Sequence, residues 1–406
     1  MKNKVIHIIP IMQWDMKEIL DKESEQGQRI HWSVRTSNEV LQYTKEFEHE
    51  CWFLDKYLKE EKIVKKGSIT YRFFPSYQLT ICRTFSKELI KKLEEISKKE
   101  RIIIHLHDYH DYLSYQICNK FKNLPIIGKL HGTSSPLSLL ERRPYLFPLF
   151  PLLAIEQLIE RVVFKNVSYF IASYAEEDYL SKFIKKNKII PLPTPTDFKA
   201  FRPVKKETAR KRLNLPKDKI ILIYAGHLNK LRACDVVIDS FQELKRQHNI
   251  ILMVVGASPD DAYYKKAKEA GAILIKPVKN DELYKYYSAA DLYIMYGSKN
   301  AIKYNGMGVA PQEALACNIP IVVPNIEFIT NNDEIHLVGE NIEDKDKINE
   351  KIVKVISNLK KYKDCRKIAY KYFSTDVIIK ETVKLYKCQK LSTSLKPVAG
   401  SQSHFR

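Results

Sequence analysis

The fold of this chain is indicated most clearly by residues 304–317, which read Tyr304-Asn305-Gly306-Met307-Gly308-Val309-Ala310-Pro311-Gln312-Glu313-Ala314-Leu315-Ala316-Cys317. An apolar run flanks them on each side, and both runs are typical of buried parallel strands. Gly306 and Gly308 let the backbone approach a ligand closely, and Pro311 suits the first turn of a helix. Such a loop and helix start offers unpaired N–H groups to an anion, typically a phosphate. A tight strand-to-helix turn would use the same two glycines, so both interpretations stay open at this point.

Strand-like and helix-like segments alternate along the whole chain. Apolar runs predict strands at 5–9, 30–34, 69–74, 102–106, 125–130, 169–172, 220–225, 250–255, 273–275, 291–296 and 319–323. Helical patterns are clearest at 86–99, 112–121, 233–246, 348–359 and 375–386. This order predicts an α/β protein with doubly wound, largely parallel sheets, in which ligands bind at the carboxyl ends of the strands.

The chain of 406 residues is longer than one compact core usually holds, which predicts two domains. Residues 191–203 are dense in proline and indicate a stiff connector between them. We predict an N-terminal Rossmann-like domain over 1–200 and a C-terminal one over 201–372, with a cleft between the two. Residues 373–390 are expected to form a helix that returns toward the N-terminal domain, and 391–406 a disordered tail.

The composition is that of a folded and strongly basic protein, with 45% hydrophobic residues and a formal net charge of +20. Such a field suits nucleic acid, an anionic membrane face or a phosphorylated substrate, although general solubility accounts for part of it. Nucleic acid is not expected, because the chain has no compact basic block and no nucleic-acid motif. Seven scattered cysteines and the lack of any run of about 18 apolar residues predict reduced thiols, a cytoplasmic location and no spanning helix.

The opening stretch resembles the donor-site segment of the family-4 glycosyltransferases, which are retaining enzymes of the GT-B fold. In that family seven residues separate two glutamates, with Gly-Phe-Gly after the first and Glu-Ala-Met-Ala at the second. Here Gly306-Met307-Gly308 and Glu313-Ala314-Leu315-Ala316 fall in register, while Asn305 replaces the first glutamate. The connector also resembles the family's linker at Asp197 and Phe201-Arg202-Pro203. The resemblance implies two doubly wound domains with the active site in the cleft between them.

The resemblance also implies a donor-binding site, made of Gly226, His227, Arg232, Asn305, Gly306, Met307, Gly308, Val309 and Glu313. An arginine and a lysine bind the donor diphosphate in the family, and His227 and Arg232 occupy their places here. Glu313 is expected to hold the ribose hydroxyls, since a carboxylate can accept two hydrogen bonds from a vicinal diol. A His-Gly pair faces the cleft in the family, which makes His131 a candidate catalytic residue together with Asn305 and Arg232.

The implied activity is transfer of a hexose, with retention, from a nucleotide diphosphate sugar to a hydroxyl acceptor, with no metal and no further cofactor. We expect the acceptor to be a lipid-linked or cell-surface glycan precursor, and the protein to be cytoplasmic and peripheral at the inner face of the membrane. A glycosidase would need two facing carboxylates, and Asn305 removes the obvious second one. An alternative stays open, in which a weakly active or inactive homologue binds sugar nucleotide or pairs with an active partner. Asn305, His227 and the absence of the family's Gly-Gly loop after the first strand favour it.

Two further segments leave alternatives open. The first, His105-Leu106-His107-Asp108-Tyr109-His110-Asp111, suggests a metal site, but the family commonly has a similar strand end with no metal assigned. Either aspartate could instead cap the next helix. The second, residues 142–155, is apolar and aromatic, and its three prolines forbid a regular helix across it. It either meets a lipid interface or lipid-linked acceptor, or forms a buried cover over the first sheet.

Overall fold

The computed structural model describes residues 3–10, 32–80, 83–130, 135–172, 174–230, 232–297, 308–324 and 334–394. Two large sheets organise these residues, one in each half of the chain. The α/β fold class predicted from the sequence is confirmed, because nearly every strand pair in both sheets is parallel and helices separate most of the strands.

The N-terminal half forms an eight-stranded sheet. Its strands and a separate two-stranded ribbon, β5–β6, are β1 (Asn3–Ile9), β2 (Phe47–Asp55), β3 (Lys62–Lys66), β4 (Ile69–Pro75), β5 (Tyr77–Thr80), β6 (Arg83–Phe85), β7 (Ile102–His107), β8 (Ile126–Lys129), β9 (Tyr169–Ala172) and β10 (Ile189–Pro191). Its helices are α1 (Trp32–Tyr43), α2 (Lys87–Lys99), α3 (Tyr112–Lys120), α4 (Ser138–Arg142), α5 (Phe150–Val163) and α6 (Tyr174–Leu180). The strand order is β10-β9-β8-β7-β1-β2-β4-β3, and β3 runs antiparallel to β4.

The prediction of a strand at 30–34 is wrong where the structure describes it, because residues 32–34 begin helix α1. Alternating apolar residues favoured a strand, but Val34 and Val40 belong to a helix that buries them both in hydrophobic clusters with the first sheet. The Ser37 hydroxyl donates to the Ser33 carbonyl at 2.8 Å, a bond between consecutive helical turns. Packing of this helix on the sheet outweighs the short alternating pattern.

Strand β2 was missed by the sequence analysis, because charged residues interrupt its apolar pattern. Glu50 lies near its middle and is buried. The structure explains this burial by two ion pairs from neighbouring strands, with Lys4 at 3.1 Å and Arg72 at 2.6 Å. A carboxylate paired in this way is tolerated inside a sheet, where an unpaired one would be costly.

The C-terminal half forms a six-stranded parallel sheet in the order β13-β12-β11-β14-β15-β16. Its strands are β11 (Ile220–Ala225), β12 (Ile250–Val255), β13 (Ile273–Ile275), β14 (Leu292–Ile294), β15 (Ile321–Val323) and β16 (Gly339–Asn341). Its helices are α7 (Lys206–Arg212), α8 (Cys234–Leu244), α9 (Tyr264–Glu269), α10 (Leu283–Ala289), α11 (Ala310–Ala316), α12 (Ile348–Ile356) and α13 (Cys365–Phe373). The four central strands, β11, β12, β14 and β15, are largely buried and apolar, as the sequence analysis expected for buried parallel strands, while β13 is half-buried and β16 contains Glu340 and Asn341.

The last helix, α14 (Thr375–Ser394), packs against the N-terminal half of the molecule. Ile379, Val383 and Tyr386 share a hydrophobic cluster with residues of the first sheet and of α1. Near the start of this helix, Thr196 of the connector forms a hydrogen bond in which its N–H donates to the Phe373 carbonyl at 2.7 Å. The helix ends four residues inside the segment predicted as a disordered tail, and residues 395–406 lie outside the described ranges.

Candidate functional site

Two glycine turns meet at the carboxyl ends of β11 and β12. Gly226 has φ 135° and Gly256 has φ 99°, values that favour glycine. A Cβ on Gly256 would lie 3.5 Å from the Cα of Gly226, so the two turns pack directly against each other. The sequence analysis named Gly226, and the structure adds Gly256 as its neighbour. Because neither residue has a side chain, the two turns pack closely at the edge of the sheet where doubly wound proteins bind ligands.

His227 follows the first of these turns, and its side chain is 64% exposed. Its Nδ1 lies 3.0 Å from Oδ1 of Asp261. The other carboxylate oxygen, Oδ2, accepts hydrogen bonds from the N–H groups of Leu228 and Ser258. Partial burial works to raise the pKa of Asp261, but these bonds outweigh it and lower the pKa. Asp261 therefore stays ionised and orients the imidazole. The sequence analysis missed it, because it lies 34 residues from His227 with no local spacing to signal it.

Arg232 and Gly308 are brought together by the fold, although 76 residues separate them in the chain. Gly308 has φ 71°, and a Cβ there would lie 3.4 Å from Nη2 of Arg232. The other end of the fork, Nη1, lies 3.6 Å from the sulfur of Met295, just after β14. A permanent guanidinium charge thus stands against the glycine turn that precedes helix α11.

Glu313 lies in the first turn of α11, with Val309 at the N-cap and Pro311 at the helix start. The carboxylate is 8% exposed, and its Oε2 accepts a hydrogen bond of 3.0 Å from the hydroxyl of Tyr287. Burial, together with the negative charge of Glu313, raises the pKa of Tyr287 well above its ordinary value, so the hydroxyl remains a donor. The sequence analysis placed Glu313 in a first turn but had no signal for its buried partner on α10.

Helix α11 is also tied to the connector between the domains. Gln312 precedes Glu313, and its Oε1 accepts a hydrogen bond of 2.9 Å from the hydroxyl of Thr196. The neighbouring Pro195 carbonyl accepts a 3.4 Å hydrogen bond from Arg35 of the N-terminal domain. Movement of one domain against the other would therefore act on the start of α11 through these hydrogen bonds.

Four residues named by the sequence analysis, His131, Asn305, Gly306 and Met307, lie outside the described residues. Their roles stay predictions. The segment that leads to His131 is described as far as Lys129 and Leu130, and the ammonium of Lys129 is buried. Burial lowers the pKa of Lys129 to about 8, while nearby Glu39 works to raise it. Strand β8 thus ends beside a buried ammonium group.

The histidine motif on β7 belongs to a larger cluster that the sequence analysis did not assemble. His105 and His107 meet His7 of β1 and His49 of β2, and all four rings are buried. Hydrogen bonds of 2.9 and 3.0 Å link His107 to His7 and His7 to His49, and Nδ1 of His105 lies 2.7 Å from the Tyr386 hydroxyl on α14. His7 and His49 escape a search for local spacing because they come from different strands.

One ring nitrogen each from His7, His105 and His107 lies within 4.8 Å of the others, which would suit a metal ion. The nearby positive charge of Lys129 opposes a cation here; burial, and after it this charge, lowers the pKa of His105. The other groups of the motif have structural partners. Asp111 caps α3 by accepting from the N–H of Leu113 at 2.9 Å.

The proline-interrupted segment at 142–155 lies largely on the surface. It forms a 3₁₀ helix over Pro144–Leu149 and then enters α5, so no single regular helix crosses the prolines. Tyr145 and Phe147 are about 70% exposed, at 70% and 69%. The interpretation of this segment as a buried cover over the first sheet is therefore wrong. Within the described part of the chain, no helix has both the length and the apolar character needed to cross a bilayer.

Solved structures with the same architecture identify the fold. Sucrose-phosphate synthase from Thermosynechococcus elongatus superposes with a TM-score of 0.70 at 16% identity, over 96% of this chain and 100% of that one. An Anabaena protein in complex with UDP gives a TM-score of 0.63 at 13% identity, over 96% of this chain and 100% of that one. The chain therefore has the GT-B fold, with two Rossmann-like domains.

The family match falls on the C-terminal domain, where residues 205–372 match the family described as Glycosyl transferases group 1. This segment is a group 1 glycosyltransferase domain, and the resemblance drawn from residues 304–317 is confirmed. D-inositol 3-phosphate glycosyltransferase 2 of Catenulispora acidiphila is 27% identical over 145 residues, which are 32% of this chain and 33% of that protein. The chain thus aligns with about a third of this relative's length.

Proposed function

We propose that this protein transfers a sugar from a nucleotide diphosphate sugar to a hydroxyl acceptor, with retention of configuration and without a metal ion. The observation that carries the proposal is the guanidinium of Arg232 standing against Gly308 at the start of α11. A fixed cation beside a glycine turn and a helix start is suited to a diphosphate. The group 1 match of the same domain supports this assignment.

In this mechanism the bond between the sugar C1 and the diphosphate oxygen breaks, and negative charge grows on the leaving diphosphate. Arg232 stabilises that charge, and His227, oriented by Asp261, adds a second donor. The acceptor hydroxyl attacks C1 from the face that the diphosphate leaves, and its proton passes to a phosphate oxygen. The products are a glycoside and a nucleoside diphosphate. No carboxylate base is needed, which accommodates Asn305 in place of the family's first glutamate.

The acceptor side belongs to the N-terminal domain. We assign His131 to the donor sugar and propose a lipid-linked or cell-surface glycan precursor as the acceptor. Tyr145 and Phe147, exposed beyond the end of β8, support an acceptor with an apolar part. The related proteins are named for different products and acceptors, so the sugar and the base are left to a screen of nucleotide sugars by thermal shift.

The test is release of nucleoside diphosphate from nucleotide sugars, with a membrane extract supplied as acceptor. Arg232→Ala should lower turnover at least tenfold, because a transition-state charge loses its permanent counter-charge. Arg246→Ala is the matched control, since Arg246 lies two residues beyond α8 as Arg232 lies two before it, and it is exposed. Wild-type protein that binds nucleotide sugar but releases no diphosphate would support the alternative of an inactive homologue.

A further inference from the structure

Helix α5 presents to solvent the kind of face that a surface helix normally buries. Six of its large apolar side chains are exposed, and Arg161 is its one exposed charged residue; the six are Phe150, Leu152, Ile155, Leu158, Ile159 and Val162. Its buried face contains the polar side chains of Gln157 and Glu160. An ordinary surface helix turns its apolar stripe to the core and its polar side to water. Packing into a hydrophobic core therefore does not explain the apolar residues on the exposed face of α5.

Hydrogen bonds fix the rotation of this helix. Oε2 of Glu160 accepts from the Tyr115 hydroxyl and lies within hydrogen-bonding distance of Nδ1 of His110, both at 2.7 Å. Oε1 of the same carboxylate accepts from the Tyr179 hydroxyl. Rotating the helix to bury its aliphatic side would break these bonds. The Glu160 carboxylate would then need new hydrogen bonds from water. The structure thus holds the apolar side outward.

The exposed face continues into the preceding 3₁₀ helix. Tyr145, Phe147 and Leu149 are exposed there, and the rings of Phe147 and Phe150 stack at 6.0 Å between centroids. We call the nine exposed side chains the apolar surface: Tyr145, Phe147, Leu149, Phe150, Leu152, Ile155, Leu158, Ile159 and Val162. Single exposed apolar residues are ordinary, but a contiguous run of this extent marks an interaction site.

The charges around the apolar surface are basic. Arg143 precedes it, and Arg161 and Lys165 are exposed near its end. The ammonium of Lys188 donates to the carbonyls of Lys165 and Val167, which brings the exposed Lys185 and Lys186 to the same end.

The acidic groups of the same helix do not oppose this basic rim. Glu156 is paired with Arg83 at 2.6 Å, and Glu160 is buried in its network. Among the described side chains next to the apolar surface, half-buried Arg143 at one end and exposed Arg161 and Lys165 at the other are positive, which complements an anionic partner.

We propose that the apolar surface docks onto an anionic lipid bilayer. The helix lies in the plane of the interface, its aliphatic and aromatic side chains enter the headgroup boundary, and the basic rim contacts lipid phosphates. A second copy of the chain fits less well, because two-fold pairing of this surface would place basic rims together without an exposed carboxylate between them. The docking does not require the sugar transfer proposed above. Where both hold, it would deliver a lipid-linked acceptor to the N-terminal domain.

The experiment is flotation of the full chain with vesicles of phosphatidylcholine, alone or with one third phosphatidylglycerol. Wild-type protein should float with the anionic vesicles, and less so as salt rises. The triple variant Ile155→Ser, Leu158→Ser and Ile159→Ser should lose at least tenfold in partitioning. Ile63→Ser is the control, because Ile63 is an equally exposed isoleucine, at 53%, on strand β3 of the same domain. Lys165→Gln with Lys186→Gln should weaken binding to anionic vesicles alone.

Two results would overturn the docking proposal. One is equal flotation of wild type and triple variant, with both folded by circular dichroism. The other is light scattering that shows a wild-type dimer which the triple variant dissolves, without any flotation. Release of nucleoside diphosphate with a soluble acceptor is measured on the same variants and should not change. Normal flotation with no release would count against the sugar transfer and leave the docking intact.

Discussion

The two sheets differ in what they bury. Under α14 the N-terminal sheet holds four histidines that are linked by hydrogen bonds, beside the buried ammonium of Lys129. The C-terminal sheet has an aliphatic and tyrosine interior, and its buried charge at Asp291 is paired with Arg210 at 2.6 Å. Of the side chains proposed to meet the donor, His227 and Arg232 stand in a loop after β11, whereas Glu313 is buried in the first turn of α11 against Tyr287. The C-terminal core thus pairs its buried carboxylate at Asp291 with a cation, while the N-terminal core holds a cluster of histidines.

The largest effect should come from the C-terminal ion pair. Asp291→Ala leaves the guanidinium of Arg210 buried without its carboxylate, and the free energy of unfolding should fall by about 3–5 kcal/mol. Urea unfolding at neutral pH measures it. Asp239→Ala is the control, because its exposed carboxylate pairs with Lys266 at the surface and should cost at most about 1 kcal/mol. Equal losses for the two variants would contradict the assignment of this pair to the core.

The N-terminal interior should instead make stability depend on pH. Burial lowers the pKa of His49 to about 3, below the value of about 6.5 in the unfolded chain. Above pH 6.5 neither state binds the proton, and as pH falls below it the unfolded state takes up a proton that the folded state refuses. Stability should therefore fall by about 1.4 kcal/mol per pH unit for this histidine, between about pH 6.5 and 3.

The matched variant for this prediction is His49→Gln, which cannot titrate and can still form a hydrogen bond with the His7 ring, as donor or acceptor. Its unfolding free energy should fall less steeply, by about 2.7 kcal/mol less between pH 6.5 and 4.5. Denaturant unfolding at several pH values gives both slopes. Parallel curves for the two proteins would mean that His49 does not resist protonation in the folded state.

On the donor side, Glu313→Gln keeps an acceptor for the Tyr287 hydroxyl but removes the negative charge. We expect an intact fold and a loss of about 1.5–3 kcal/mol in the binding of nucleoside diphosphate, the usual worth of a hydrogen bond to a charged group. Calorimetry measures the affinity, and thermal unfolding checks the fold. Unchanged affinity would remove Glu313 from the donor site.

The smallest effect should come from the contact between α14 and the histidine cluster. Tyr386→Phe removes the hydroxyl that meets His105 and leaves a buried ring nitrogen without it, at a cost of about 1–3 kcal/mol. Tyr370→Phe is the control, because that hydroxyl pairs with Asp376 at the surface and should change stability by only a few tenths of that cost. Equal melting temperatures for the two variants would show that this contact adds no stability.

Sequence patterns predicted what is local or shared with the family. Gly308 was placed in a loop of close backbone approach because glycine permits it, and Glu313 in a first helical turn because proline precedes it. Gly226 came from the resemblance, and the structure places it at a turn with positive φ. Arg232 came from the resemblance, and only folding brought it to Gly308.

What the sequence left out depends on contacts between distant segments. Asp261 contacts His227, and Tyr287 contacts Glu313, and each partner lies on a different element of the C-terminal domain. The start of α1 was predicted as a strand because a short window shows only a few alternating apolar residues. The packing of the whole helix on the sheet, which decides the structure, is not visible in that window. The outward apolar side of α5 depends on hydrogen bonds to α3 and α6, which no helical pattern contains.

Helix α14 also has a consequence for synthesis on the ribosome. Val5, Ile103, Ile127 and Ile171 of the first sheet share their hydrophobic cluster with Ile379, Val383 and Tyr386. That face of the first sheet stays uncovered while the whole second domain is being translated, although domains generally fold in the order in which they emerge. The half of the protein made first is therefore completed last, and until then its exposed strands are a target for chaperones.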